Sequence, residues 1–365
     1  MVMQSSATQP IELPPLTSHI PSIGGVIRQC PEDFEVEEIP AYHPDLCPDR
    51  HLLFVLKKRE LTSDDAVTMI AQHCQIPTNE FGIAGLKDKY AITKQWVSAP
   101  ASAAAKLASF SHPKIEIGPQ FAHSHKLRRG HLRGNRFVIT IRNPAPPIEQ
   151  SIAYATLKLN EICTNGLSNH FGPQRFGKDG LNGQRGLSAL QKGLKNNRSR
   201  LSTFILSAGQ SLLFNAYVQQ RRSMDLWDKV LLGDVLKKTD TGGIFICEDP
   251  KTDQERLRTK KIVITGPIYG NKMKRPLVDS PAEELEQKIL NDFEITHEML
   301  LHFGRKLTGT RRELIVRPES CDICEGSNST STQPGVRVSV ILPSGSFATN
   351  LLSEVMGPLA RNVLR

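Results

Sequence analysis

The sequence predicts a mixed α and β protein with two domains, and three observations support this prediction. Apolar and polar side chains alternate in residues 34–38, and residues 137–142 are rich in β-branched side chains, as half-buried strands require. Residues 148–165 lie between a proline-rich break and Gly166, which are typical boundaries of a helix. A chain of 365 residues, with 39% hydrophobic and 23% charged residues, is long enough for two globular domains.

The elements of the first half of the chain follow from local signals. Residues 1–22 carry prolines and polar side chains and are expected to be a flexible lead-in. Thr62, ahead of the acidic Asp64 and Asp65, can cap a helix that runs through Ala71. Predicted strands cover the alternating or β-branched segments 23–38, 52–56, 92–98 and 137–142.

The composition of the chain changes between about residues 165 and 314. Glycine-rich loops, helical stretches and basic clusters are frequent there. A helix is predicted over residues 202–222 from the spacing of the apolar side chains, and another opens at Glu283. Residues 336–342 are then predicted to form a last strand, and residues 346–355 a last helix. The polar segment 321–334 is expected to be a mobile loop.

The charge of the chain favours a polyanionic partner. There are 46 lysines and arginines against 37 acidic residues, a net charge of +9, and the pI is near 9.2. Any one basic cluster is more often a solvated face, but several separated clusters suit a large folded RNA better than a small acidic metabolite. The clusters lie at residues 125–136, 192–200, 256–261 and 305–312.

Cysteine usage and hydropathy indicate the compartment. Seven cysteines spread along the chain do not form the pattern of a disulfide framework. Residues 1–20 lack the apolar run of a signal peptide, and no stretch reaches the length of a transmembrane helix. These features predict a reducing, cytoplasmic location without a membrane partner.

The run from Gly85 to Lys89 contains the strongest candidate for a catalytic group, Asp88. The run follows an apolar, glycine-broken stretch and precedes the predicted strand 92–98, so we expect a tight loop that presents a carboxylate from a rigid sheet. The flanking Lys87 and Lys89 would keep Asp88 ionised and ready to act as a nucleophile or base. An isolated Lys-Asp-Lys is more often a solvated turn, so this assignment depends on other motifs.

Two motifs for other chemistry are incomplete. Residues 172–178 fit the G-x-x-x-x-G-K part of a phosphate-binding loop, but Asp179 stands where the magnesium-binding Ser or Thr is needed. Cys321 and Cys324 have zinc-ligand spacing without a second pair of ligands downstream. The remaining candidates for metal ligands are interleaved with basic residues: His123, His125 and His131. We therefore expect neither nucleotide nor metal binding.

Several short motifs follow one another along the chain: residues 28–34, 85–88, 134–137, 169–177, 213–215, 265–270, 311–312 and 343–349. In this order they resemble the TruD family of tRNA pseudouridine synthases, and the resemblance spans residue 23 to the last residue. His170 stands where tyrosine is common in the family, Arg28 stands where lysine is usual, and segment 321–334 has no recognised counterpart. None of these departures removes a catalytic group.

The resemblance implies a set of site residues. Asp88 would be the essential carboxylate, and Arg28 would pair with it and keep it ionised and aligned. The carboxylate would attack C1′ of the uridine or remove the 2′ proton, and the residues do not distinguish these routes. Aromatic rings would line the pocket of the flipped uracil, and an amide would hold the nucleotide by hydrogen bonds. By the resemblance, these substrate-binding residues are Phe34, Asn135, Phe137 and Phe347.

The resemblance also implies a fold, a substrate and partners. The expected α+β catalytic domain has a central mixed sheet built from residues 23–164 and 315–365, and a TRUD-type α/β domain is inserted at residues 165–314. The expected substrate is uridine 13 in the D arm of tRNA, with no cofactor or metal, and the expected oligomeric state is a monomer. Two alternatives stay open: a non-catalytic tRNA-binding or RNA-chaperone protein, and an NTPase that uses residues 172–178.

Overall fold

The computed structural model describes residues 11, 13–47, 50–177, 179–193, 200–326 and 333–358. It divides the chain into two compact units. The described residues within 17–167 and 317–358 form the eight-stranded unit, and those within 11–16 and 168–316 belong to the four-stranded unit. Some residues of the predicted basic and phosphate-binding segments lie outside the described residues: Lys178, Lys195 and Arg198.

Strands and helices are interspersed along the described residues. In chain order, the strands of the described residues are β1 (Phe34–Pro40), β2 (His51–Arg59), β3 (Gly82–Ile83), β4 (Ile92–Pro100), β5 (Ile115–His123), β6 (Leu132–Arg142), β7 (Leu167–Ser168), β8 (Val235–Lys238), β9 (Ile244–Ile246), β10 (Ile262–Ile268), β11 (Thr310–Glu313), β12 (Ile315–Val316), β13 (Cys321–Glu325) and β14 (Gly335–Pro343). The α-helices are α1 (Ser63–Cys74), α2 (Ala104–Ala108), α3 (Ile148–Asn165), α4 (Asn182–Lys192), α5 (Arg200–Ser223), α6 (Pro250–Arg258), α7 (Pro281–Asp292), α8 (His297–Leu301) and α9 (Ala348–Met356).

One mixed sheet organises the eight-stranded unit. Within the described residues its strand order is β13-β14-β6-β1-β4-β2-β5, with β3 paired to β4. The pair β1 and β4 is parallel and the other neighbours are antiparallel, which confirms the predicted α+β class with a central mixed sheet. Glu38 lies opposite Asn135, and Val36 lies opposite Phe137. Since directly paired residues point to the same side, these four side chains share one face of the sheet.

Helix α1 packs on the side of the sheet formed by β2 and β4. Its N-cap is Thr62, whose hydroxyl oxygen accepts a hydrogen bond of 3.0 Å from the backbone N–H of Asp65. Ile70 of this helix lies in a buried cluster with Phe54 and Val97. At the other end of the sheet, α3 packs on β13 and β14 and against α9. Each helix therefore buries an apolar face on strands that carry or flank the loops described below.

The four-stranded unit has its own core. Its sheet has the order β11-β10-β8-β9, and all described neighbours are antiparallel. Helix α5 is buried along much of its length and ends near an ion pair of 2.8 Å between Arg221 and Asp234, both buried. A Cβ atom on Gly186 of α4 would lie 2.3 Å from the backbone nitrogen of Gly209. The two glycines therefore allow α4 and α5 to pack in close contact.

Two predicted elements differ from the structure. The predicted strand 23–38 is regular only within β1, because Val26 forms an isolated bridge to Arg142 and Pro31–Asp33 is a turn of 3-10 helix. The predicted mobile loop 321–334 begins with β13, which pairs with β14 along its full length. Pairing of backbone groups forms this strand despite a polar sequence that resembles a loop. None of the helices in the described residues has the length and hydropathy to cross a membrane.

Candidate active site

Asp88 lies in the loop between β3 and β4 and is paired with an arginine. The Nη2 atom of Arg28 donates a hydrogen bond of 2.8 Å to Oδ2 of Asp88. The Asp88 side chain is 54% exposed, whereas that of Arg28 is 9% exposed. A carboxylate that is accessible from solvent is therefore oriented by a cation that is largely buried, and such charge-assisted bonds fix geometry as well as charge.

The guanidinium of Arg28 is held from two sides. Its Cζ atom lies 4.2 Å from the centroid of the Phe34 ring, in a cation–π contact. Phe34 is 2% exposed, and its ring packs edge-on against Phe137 with centroids 6.3 Å apart. The backbone of Arg28 has a φ of 60°, a left-handed conformation that side chains rarely adopt. Packing and an unusual backbone angle together direct this side chain toward Asp88.

A buried ion pair fixes the loop beside Asp88. The Nζ atom of Lys87 lies 2.6 Å from Oε2 of Glu38 on β1, and both side chains are buried. The other carboxylate oxygen of Glu38 accepts a 3.2 Å hydrogen bond from the backbone N–H of Trp96. The backbone N–H of Lys87 donates to the hydroxyl oxygen of Ser63 at 2.9 Å. The loop is thus tied to β1, to β4 and to the start of α1.

Lys58 supports the same loop from β2. Its Nζ atom donates a hydrogen bond of 2.9 Å to the backbone carbonyl oxygen of Asp88, and the residue is 1% exposed. Burial lowers the pKa of Lys58 to about 8, while the charge of Asp88 opposes this shift and that of Lys87 adds to it. Lys58 therefore anchors the main chain of the catalytic candidate and adds positive charge near its carboxylate.

Replacing Lys58 by methionine is expected to change the pH dependence of stability. Lys58 holds its proton less tightly in the folded chain, with a pKa of about 8 against the usual 10.5. Between these values the unfolded chain binds more protons, so this group makes the free energy of unfolding rise with pH, by at most about 1.4 kcal/mol per pH unit. Urea denaturation of wild type and Lys58→Met across this window measures the effect.

The contribution of Lys58 is measured as the difference in stability between wild type and Lys58→Met. The stability of wild type minus that of Lys58→Met should rise steadily from about pH 8 to pH 10.5, the interval between the folded and the usual pKa. The neighbouring Lys57 is about half exposed and pairs with Glu116, so Lys57→Met serves as the control for replacing an exposed lysine on the same strand. A constant difference for Lys58→Met would mean that the buried amine titrates at its ordinary pKa.

Asn135 and Phe347 are placed by β6 and β14. Asn135 is paired with Leu342 on β14, one residue from the end of that strand. The side-chain oxygen of Asn135 is buried and has no hydrogen-bond partner among the described residues. Phe347 follows β14 by four residues, and its carbonyl oxygen accepts a 3.1 Å bond from Asn350 at the start of α9. Since buried polar atoms are nearly always paired, this oxygen is available to accept a hydrogen bond from a bound molecule.

A close contact between strands sets this part of the site. A Cβ atom on Gly134 would lie 2.3 Å from the carbonyl oxygen of Leu342. Only glycine therefore allows β6 and β14 to approach at this point. The backbone N–H of Ser344 then donates to the carbonyl of Arg133 at 2.9 Å. These contacts hold the segment that leads to Phe347 beside the strand that carries Asn135.

Some of the predicted site residues contact one another through their side chains, whereas others are related only by strand pairing. Arg28, Asp88, Phe34 and Phe137 form one chain of side-chain contacts. Asn135 and Phe347 belong to the same unit through strand pairing. The sequence reasoning assigned Lys87 and Lys89 to Asp88, but Lys87 turns to Glu38 and the cations that hold Asp88 are Arg28 and Lys58. Four supporting residues were not predicted: Glu38, Lys58, Ser63, and Gln95, whose side-chain oxygen accepts a hydrogen bond of 2.6 Å from the Ser63 hydroxyl.

Two incomplete motifs have structural explanations. Cys321 and Cys324 lie on one strand, where residues three apart point to opposite faces. Cys321 packs against Cys163, with their sulfur atoms 2.8 Å apart, and Cys324 is exposed. The spacing of these thiols therefore does not bring them together around one ion. In the four-stranded unit, residues Pro173–Phe176 form a 3-10 turn rather than a phosphate-binding loop that follows a strand.

Not every basic cluster is an RNA-facing surface. Arg311 forms a buried ion pair of 2.7 Å with Glu286. Arg312 packs 4.3 Å from the centroid of the Phe171 ring, and burial lowers its pKa to about 10. Both arginines therefore stabilise the four-stranded unit from within. In the eight-stranded unit the cluster that follows β5 is exposed at Arg128, Arg129, Arg133 and Arg136.

Comparisons with known proteins agree on one family. A family model described as tRNA pseudouridine synthase D (TruD) matches residues 11–185 and 184–355. The tRNA pseudouridine synthase D of a Thermus thermophilus strain is 38% identical over 349 residues, which cover 95% of this chain and 93% of the relative. That of Anaeromyxobacter dehalogenans (strain 2CP-1) is 35% identical over 350 residues, covering 94% and 96%. A solved TruD structure from Methanosarcina mazei has a TM-score of 0.77 at 20% identity, covering 99% of this chain and 100% of that one.

Proposed function

Because the chain belongs to the TruD family of tRNA pseudouridine synthases, we propose that it isomerises uridine 13 in the D arm of tRNA, with Asp88 as the reacting carboxylate. It is an RNA-modifying isomerase by family, and the position in tRNA and the roles of the residues are part of the proposal. The observation that carries it is the ion pair of 2.8 Å between a half-exposed Asp88 and a largely buried Arg28, on a loop tied down by buried contacts.

The chemistry requires one carboxylate and a pocket that excludes water. The C1′–N1 bond of the uridine breaks, the uracil turns within the pocket, and C5 bonds to C1′. The C5 proton is then lost and N1 gains one. If Asp88 attacks C1′, it forms an ester that C5 displaces, much as a retaining glycosidase forms and resolves its intermediate. If Asp88 instead removes the 2′ proton, the C1′–N1 bond breaks and a glycal forms, and Asp88 returns the proton to C2′ when C5 bonds to C1′. A primary isotope effect from deuterium at C2′ would identify the second route.

The neighbouring residues fit supporting roles in either route. Arg28 orients the carboxylate through a charge-assisted hydrogen bond. The Phe34 ring lies under the guanidinium of Arg28 and is nearly fully buried, so we assign it to the pocket wall that positions Arg28, with Phe137 behind it. The unsatisfied oxygen of Asn135 would accept a hydrogen bond from the N–H of the flipped uracil. The exposed arginines after β5 would contact phosphates of the tRNA backbone.

Phe347→Ala is expected to keep the fold and tRNA binding but to lose most turnover. Stacking of a base on an aromatic ring contributes about 1–3 kcal/mol, so the loss should be about tenfold to a hundredfold. The backbone contact between Phe347 and Asn350 survives the change. Single-turnover rates at saturating enzyme measure the effect, and Phe347→Tyr, which retains a ring, should keep most activity. Normal turnover of Phe347→Ala would exclude the stacking role.

The proposal is tested by tritium release from tRNA that carries C5-labelled uridine. Release requires that the C5–H bond of a uridine is broken, which binding alone does not do. The protein is expected to release the label from one position of the transcript, and a transcript with cytidine at position 13 should release none. Release from that altered transcript would place the target elsewhere. Binding without any release from a panel of tRNAs would favour the alternative of a non-catalytic tRNA-binding protein.

A further inference from the structure

A cluster of histidines lies where β5 ends, together with residues from the segment that precedes β2. His123 is the last residue of β5, and His125 and His131 follow it before β6. The ring of Tyr42 packs against these three imidazoles, with centroid distances of 5.5, 5.2 and 5.6 Å. Its hydroxyl lies 2.7 Å from Nδ1 of His131. These residues take no part in the contacts described for Asp88.

Three side chains of this cluster have the geometry of metal ligands. Nδ1 of His123 lies 3.1 Å from Oδ1 of Asp45, and the rings of His123 and His125 have centroids 4.3 Å apart. One ligand atom from each of the three residues lies within 4.8 Å of the other two. Ligand atoms around a tetrahedral ion with bonds of about 2.0–2.1 Å are about 3.3 Å apart. The exposed Asp45 and His125 can close the remaining distance by small side-chain rotations.

The imidazole of His123 is buried, and only one of its two nitrogens has a partner among the described residues. His123 is 1% exposed, and its Nε2 atom is buried without such a partner. Buried polar atoms in native proteins are nearly always paired, and an exception calls for an explanation such as a bound ion. The other ring nitrogen, Nδ1, lies 3.1 Å from Oδ1 of Asp45 and accepts a hydrogen bond of 3.3 Å from the backbone N–H of Asp45.

The carboxylate of Asp45 is held in place by Ser124. The backbone N–H of Ser124 donates a hydrogen bond of 3.2 Å to Oδ1 of Asp45, and the Ser124 hydroxyl donates to Oδ2. These bonds keep the carboxylate beside the His123 ring, where Oδ1 lies 3.1 Å from Nδ1.

We propose that Asp45, His123 and His125 bind a divalent first-row transition-metal ion, with Zn²⁺ as the representative member of this class. Imidazole ligands favour zinc, nickel or copper, whereas calcium and magnesium prefer sites made of oxygen atoms. Ser124 holds the carboxylate and Tyr42 packs on both rings, as outer contacts do around metal sites. The bound ion would join the segment before β2 to the end of β5, so its expected role is structural.

The proposed site would reverse the expectation of no metal drawn from the sequence. That expectation rested on the basic neighbours of the histidines, and no acidic ligand stands close to them in the chain. The structure brings Asp45 to His123 across a separation of 78 residues. The cross-strand pairing of His51 with His123 aligns the ends of β2 and β5, and so brings the segment that holds Asp45 alongside.

The test uses the full chain without a polyhistidine tag, stripped of metal by a chelator and then desalted. Isothermal titration with ZnCl₂ is expected to show one equivalent bound and a rise in melting temperature. Titration with Co²⁺ should give the intense visible absorption of a tetrahedral or five-coordinate ion. Asp45→Asn and His125→Ala change exposed side chains and should fold normally, and each should weaken Zn²⁺ binding by at least about tenfold.

A matched control separates this site from surface binding by any histidine. His43 is exposed and lies on the same segment as Asp45, but it is not one of the three clustered ligands. His43→Ala should therefore bind Zn²⁺ as wild type does. Failure of wild type to bind Zn²⁺ would overturn the proposal, and so would unchanged binding by both Asp45→Asn and His125→Ala. Equal weakening by His43→Ala would also overturn it, because it would indicate non-specific binding.

Discussion

Asp88→Asn is expected to abolish isomerisation while leaving tRNA binding intact. The amide has the shape of the carboxylate and can still accept a hydrogen bond from Arg28, so the geometry of the pair survives. It lacks the negative charge needed to attack C1′ or to remove a proton. Loss of an essential nucleophile typically costs about 10⁴-fold or more in turnover. Tritium release measures the rate, and filter binding with the same tRNA measures affinity.

The control for Asp88→Asn is an aspartate of similar exposure in the same unit. Asp64, in the first turn of α1, is 72% exposed and lies 4.0 Å from Arg129. Asp64→Asn removes the same charge from the surface and should turn over at the wild-type rate. Wild-type turnover by Asp88→Asn would show that Asp88 is structural. Weaker tRNA binding by Asp88→Asn with an unchanged single-turnover rate would assign it to binding instead.

Lys87→Met is expected to destabilise the fold by about 3–5 kcal/mol, because it leaves the buried carboxylate of Glu38 without its partner. The Nζ atom of Lys87 is 2.6 Å from Glu38, and the two side chains are 4% and 1% exposed. The backbone of Lys87 is also the point at which the loop is tied to Ser63. The substitution should therefore lower turnover as well, since Asp88 is the next residue. Urea denaturation measures the stability.

An exposed ion pair on the neighbouring strand gives the comparison for Lys87. Lys57 pairs with Glu116 at 3.0 Å, with both side chains about half exposed or more. Because exposed pairs contribute about 0–1 kcal/mol, Lys57→Met should cost much less than Lys87→Met. Adding Glu38→Gln to Lys87→Met removes the unpaired charge and should recover part of the stability. Similar losses of unfolding free energy in Lys57→Met and Lys87→Met would show that burial does not increase the contribution of the ion pair between Lys87 and Glu38.

Local signals were sufficient to predict the helices α1, α3, α5, α7 and α9 and the strands β1, β2, β4, β6 and β14, whereas the other elements of the described residues were not predicted. The bounds of α3 coincide with the predicted residues 148–165, because a proline-rich break and Gly166 mark both ends. The loop that carries Asp88 was predicted because glycines and a following strand frame it. The strand β13 was not predicted, since its stability comes from pairing with β14 and not from its own polar sequence.

The residues that hold the loop carrying Asp88 could not be predicted from the sequence. Which acid partners Lys87 depends on how β1 and the loop meet in space, and Glu38 is 49 residues away. Lys58 looks like one member of a solvated basic run, yet strand alternation turns it inward while its neighbour Lys57 faces solvent. Charged residues that become buried are the cases in which composition and spacing give the least information.

The division of the sheet between two distant stretches of chain has a consequence for synthesis. Strand β6 pairs with β1 on one side and with β14 on the other, and the whole of residues 168–316 is made between β6 and β14. During translation one edge of β6 therefore stays unpaired until β14 has been made. A nascent chain with an unpaired strand edge is prone to wrong pairing. Phe347 is made later still, so a ribosome-bound intermediate that already carries Arg28 and Asp88 lacks part of the proposed site.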